Sequence, residues 1–155
     1  MSEKLVEMVT DDWSLKISDA WQFERTPGGV RASLPGSQLA IFIDNFRISG
    51  DYPVEDWASS SLQNIKQGLE EAAGSGNEGA NNNFVYPVER QSLEGDVQYV
   101  EVDAFAAGSK FRIYTKFMRR NGAFVALSFH DYLCESYEQS VEQSEALLSG
   151  FEFKD

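Results

Sequence analysis

The chain has 155 residues, 42% of them apolar and 13% aromatic. That is enough for one folded domain, 1–155, with its own core, and it excludes an intrinsically disordered chain. A single cysteine excludes a disulfide framework, and a formal charge of −12 sets the chain against phosphate backbones and anionic lipid surfaces.

The opening MSEKLVEMVTDDW has no apolar signal region, and the longest apolar run, LAIFI, is far too short to span a bilayer. The expectation is a cytoplasmic protein with no nucleic-acid partner and no direct membrane insertion. WSLKIS (13–18) alternates Trp13, Leu15 and Ile17 and reads as a strand. WQFER (21–25), the turn TPGG (26–29) and VRASL (30–34) follow as a short extended pair. QLAIFIDNF (38–46) is apolar on both sides and reads as a central strand. Asp51 as a cap and Pro53 in a first turn then open a helix, with Val54, Trp57, Ala58, Ser61, Leu62, Ile65 and Leu69 at spacings of three and four. GSGNEGANNN (74–83) ends it as a flexible polar loop.

The second half is registered by its turns. Gly108-Ser109 and Asn121-Gly122 suit two-residue hairpin loops, which fix the pairing of three strands. Val100, Val102 and Ala104 then oppose Phe117, Thr115 and Ile113, which in turn oppose Ala126, Ser128 and His130. That face is apolar. The other face is mixed: Tyr99, Glu101, Asp103 and Phe105, then Arg112, Tyr114, Lys116 and Met118, then Val125, Leu127 and Phe129. Lys116 opposes Glu101, a cross-strand ion pair. A closing helix is expected at about 136–149, with a stripe of Tyr137, Val141, Ser144 and Leu148, ended by Gly150 and followed by the extended FEF (151–153).

Chemistry-bearing residues are few. The only histidine, His130, and the only cysteine, Cys134, stand four apart. That spacing aligns side chains on a helix, whereas His130 sits at the end of a strand and the acids around Cys134 disfavour a thiolate. Neither a metal ligand set nor a phosphate-binding glycine motif is present in the sequence. No catalytic residue, metal or cofactor is therefore assigned. The candidate partner-binding residues are Tyr99, Glu101, Asp103, Phe105, Arg112, Tyr114, Lys116, Met118 and Phe129, whose aromatics Tyr99, Phe105, Tyr114 and Phe129 form either a second core under a helix or a docking face.

SLKISDAW (14–21), PVEDWASSSLQNI (53–65) and LLSGFEF (147–153) together resemble the fold shared by the photosystem protein PsbP, the Ran-binding Mog proteins and bacterial DcrB-like proteins. Ser18 and Ala20 stand where the family more often has Pro and Gly. The resemblance implies an α+β fold: a three-layer α/β/α sandwich around an antiparallel sheet, with two main helices. It also implies binding rather than catalysis. The DcrB-like group includes the Eag chaperones of type VI secretion, which cradle apolar effector segments and are often dimeric, so a homodimer is among the expectations. The leading reading is then an adaptor or chaperone for an apolar segment of a secreted effector; the alternative, drawn from the charge of −12, is an immunity-type inhibitor of a basic toxin. A module for a small apolar ligand stands behind both.

Overall fold

The structure is a computed structural model and describes residues 4–47, 85–94, 97–106, 110–120 and 122–154. Its strands are β1 (Leu5–Val9), β2 (Trp13–Ser18), β3 (Gln22–Thr26), β4 (Gly29–Ser33), β5 (Leu39–Arg47), β6 (Val85–Glu94), β7 (Val97–Ala106), β8 (Phe111–Arg120), β9 (Ala123–Asp131) and β10 (Phe151–Phe153). Among the described residues there is one helix, α1 (Tyr137–Leu148), which precedes β10. β3-β4-β5-β9-β8-β7-β6 form a seven-stranded antiparallel sheet, and β1-β2-β10 form a separate three-stranded one.

Each element follows from its sequence. β2 alternates buried Trp13, Leu15 and Ile17 with outward Ser14, Lys16 and Ser18, as a half-buried strand requires. The turn before it is closed by Thr10, whose Oγ1 accepts the Trp13 N–H at 3.1 Å. Gly29 lets β4 lie against β5: a Cβ there would stand 1.8 Å from the Ile43 carbonyl oxygen. Gly150 does the same for the return of the chain to β2, where a Cβ would meet the Lys16 carbonyl oxygen at 2.1 Å. Helix α1 starts at Ser136, whose Oγ accepts the Gln139 N–H at 3.3 Å, and closes with the Ser149 N–H donating to the Glu145 carbonyl at 3.0 Å.

The hairpin registers are those the turns dictate. Val100 pairs with Phe117, Val102 with Thr115 and Glu101 with Lys116, while Phe117 pairs with Ala126 and Ile113 with His130. β5 lies between β4 and β9, with Ile41 and Ile43 in the core.

The layering differs from the expectation. The three-layer α/β/α sandwich with two main helices is corrected: among the described residues the protein is mostly strand, in two sheets, with one helix. The reason lies in β2. Its period-two apolar pattern makes a strand with one apolar face, which is buried by packing a second sheet on the large one. It pairs with β1 on one edge and β10 on the other, and the resulting small sheet covers the core. Trp13, Leu15 and Ile17 join Val30, Ile41, Ile43, Val125, Leu127 and Phe129 in one cluster. The small sheet and α1 therefore share one face of the large sheet. The strands β1 and β6 had no counterpart in the sequence reading. The helix expected from Asp51 to Leu69, the loop 74–83 and the Gly108-Ser109 turn lie outside the described residues.

Candidate binding cleft beneath the C-terminal helix

The mixed face of β7 and β8 is the face on which α1 lies. Its centre is Arg112, 1% exposed. The guanidinium grips Asp103 with two bonds, Nε to Oδ1 at 2.9 Å and Nη2 to Oδ2 at 2.7 Å. Its Nη1 donates to two hydroxyls of α1, Ser140 Oγ at 3.0 Å and Ser144 Oγ at 3.2 Å. Tyr137, one turn before Ser140, donates its hydroxyl to Asp103 Oδ2 at 2.9 Å. The guanidinium also lies within 5.4–5.7 Å of the ring centres of Tyr137, Tyr114 and Phe129. A buried charge pair survives only when its remaining donors and acceptors are met, and here the hydroxyls of α1 meet them. Burial, and then the bond to Asp103 and that residue's negative charge, push the Tyr137 hydroxyl up to about 12.

Beyond this network a cleft of about 250 Å³ runs between α1 and the two strands. Tyr99, Glu101, Tyr114 and Lys116 line it from the sheet, and Val141, Glu145 and Leu148 line it from the helix. Tyr114 donates its hydroxyl to Glu101 Oε2. The Lys116 ammonium stands 4.4 Å from the centre of the Tyr99 ring.

The structure thus brings six of the nine candidate residues to one cleft: Tyr99, Glu101, Asp103, Arg112, Tyr114 and Lys116. The other three are close by but do not line it. Phe105 packs on Tyr137 at 5.3 Å between ring centres, and Met118 and Phe129 are buried in the core. Tyr137, Ser140 and Ser144 were the residues that sequence reasoning did not join to the site. Their signal was present: three hydroxyls at spacings of three and four on the inward side of a helix have to face something polar.

His130 and Cys134 do not converge. His130 lies on the opposite face, 4.6 Å from the Phe42 ring, with its Nδ1 3.2 Å from the Tyr132 hydroxyl. Burial lowers it to about 4. Cys134 is buried on the α1 side beside Ser140, and burial pushes its thiol up, away from the thiolate. Among the described residues no three His, Cys, Asp or Glu side chains form a metal centre, and no helix is long and apolar enough to cross a membrane.

No known family matches the sequence, and no curated protein matches it. Solved structures do. The chain is similar to cyanobacterial PsbP (CyanoP) from Synechocystis sp., with a TM-score of 0.75 at 8% identity over 99% of this chain and 95% of that one. It is also similar to LpqN, involved in cell envelope biogenesis of Mycobacterium tuberculosis, with a TM-score of 0.53 at 13% identity over 99% and 91%. A third similar chain is PA94 from Pseudomonas aeruginosa, a protein of unknown function, with a TM-score of 0.48 at 15% identity over 92% of each chain. The fold is PsbP-like. At such identities the likeness speaks of architecture and not of activity.

Proposed function

We propose that this protein is a non-enzymatic binding module whose partner is a basic protein. The observation that carries the reading is the composition of the C-terminal segment. From residue 121 to residue 153 there is no Lys or Arg, while Asp131, Glu135, Glu138, Glu142, Glu145 and Glu152 all fall within it. Glu138, Glu142 and Glu145 are exposed on α1. Glu138 and Glu142 stand four apart, a like-charge spacing that weakens a helix, and Glu145 lies near the C-terminal end, where the helix dipole disfavours an acid. A cationic surface laid along α1 relieves both. The overall charge of −12 would draw such a partner in from a distance. Beneath the helix Asp103, Arg112 and Tyr137 are bonded to one another, as are Glu101 and Tyr114, which suits a scaffold rather than a reacting centre. Within this reading, an immunity-type inhibitor of a basic toxin is the most specific form.

The chaperone reading that comes with the DcrB-like resemblance stands second. It asks the face of Tyr99, Tyr114 and Met118 to grip an apolar effector segment. That face already carries α1 and the three-stranded sheet, so such a segment would have to displace one of them.

The test is affinity capture of the tagged protein from its host, at low and high salt, beside the triple variant Glu138→Lys, Glu142→Lys, Glu145→Lys. The expected result is a basic partner that salt weakens and the triple variant loses. A partner retained equally by the variant would contradict the reading. An apolar segment captured independently of salt would favour the chaperone.

A further inference from the structure

The cleft beneath α1 has a chemistry of its own, separate from the acidic outer side of the helix. Its two tyrosine rings, Tyr99 and Tyr114, and its two carboxylates, Glu101 and Glu145, are of the kinds that hold an ammonium group. Val141 and Leu148 supply an apolar wall for an aliphatic stem. The neighbouring Asp103 and Arg112 cancel each other's charge. The chain already places one such group there: the Lys116 ammonium, 4.4 Å above the Tyr99 ring.

We infer that this cleft is a receptor site for one lysine side chain of the basic partner, and that Lys116 occupies it in the free protein. The inference rests on the basic-partner reading above and gives that partner an anchor. Glu145 lies at the junction of the two surfaces, on the exposed face of α1 and on the rim of the cleft. A basic segment running along the helix therefore passes the mouth, and a lysine from it can enter as Lys116 swings out to solvent. Lys116 is only half-buried and sits on a flexible four-carbon stem, so this exchange leaves the backbone in place.

The test uses two short capped peptides, alanine-flanked, one bearing a single lysine and the other norleucine in its place, titrated calorimetrically or by NMR of the tyrosine rings. Lys116→Met should bind the lysine peptide about fivefold more tightly than the unaltered protein, the ratio appropriate to one partly desolvated cation–π contact. The norleucine peptide should show no gain. Adding Glu101→Gln to Lys116→Met should abolish the gain. Glu145→Gln, at the exposed rim and harmless to folding, should weaken lysine-peptide binding by about twofold in either background. Equal affinities of the unaltered protein and Lys116→Met, or an equal gain for norleucine, would overturn the assignment. A polylysine probe separates the two layers of the reading. If it binds every form equally and with salt dependence, the basic-partner reading stands and the cleft assignment falls. If it binds none of them, both fall.

Discussion

Among the described residues two structures cover the same face of the large sheet, and they are held down by different physics. The three-stranded sheet is held by burial: Trp13, Leu15 and Ile17 are each no more than 2% exposed and touch an apolar cluster. Helix α1 adds polar bonds to the packing of Leu147 and Leu148 at its end. Its two fully buried residues are serines, and they reach a single arginine. Apolar burial is non-directional, whereas the Arg112–Asp103 network accepts α1 in one register only. The small sheet secures the fold, and α1 is the part whose register depends on a few hydrogen bonds beside a cleft, with Leu147 and Leu148 packed on the core at its end.

The largest effect should come from the apolar side. Trp13→Ala is expected to cost about 4 kcal/mol, measured by denaturant unfolding, because the site cannot close over so large a loss. Arg112→Met comes next, at about 3 kcal/mol, since it strands the Asp103 carboxylate, only 2% exposed, in the interior. The double change Arg112→Met with Asp103→Leu sharpens the comparison. It should recover most of that loss while leaving α1 less firmly registered, seen as faster amide exchange in α1 alone.

How much of this the sequence disclosed depends on the range of the interactions. Hairpin pairing is local and was readable from Asn121-Gly122 and its neighbours, down to individual partners. The end of α1 was readable from Gly150. The layers were not. Whether Trp13, Leu15 and Ile17 add a strand to the main sheet or build a second sheet on top of it is decided by β1 and β10, which lie on either side of β2 in space but at opposite ends of the described chain. The polar site was half readable. Alternation placed Asp103, Arg112 and Tyr114 on one face, but pattern alone singled out Glu101 and Lys116, which are directly opposite. The buried pair is the diagonal one, Asp103 with Arg112, because only there do helix hydroxyls complete the guanidinium's bonds.

Two smaller effects distinguish the regions by pH. Tyr137 ionises less readily in the folded protein than in the unfolded chain. Its contribution is therefore complete below 10 and is lost as pH rises toward about 12. Tyr137→Phe should cost about 1 kcal/mol near neutrality and remove that alkaline step from a pH series of melting temperatures. His130 behaves in the opposite sense. Its folded value of about 4 lies below 6.5, so its contribution is complete above 6.5 and is lost as pH falls toward 4. His130→Phe should flatten the acid limb and leave the alkaline one unchanged, because the two groups sit on opposite faces of the sheet.

The most direct measurement is residue-resolved hydrogen exchange on the unaltered protein and on Asp103→Asn. Amides of Leu15 and Ile17 report the apolar cover, and those of Val141 and Ser144 report the helix. If α1 is attached by its polar bonds, the α1 amides exchange much faster in the variant while the β2 amides slow or hasten only with global stability. Equal acceleration in β2 and α1 would contradict the account, since both covers would then belong to one cooperative unit.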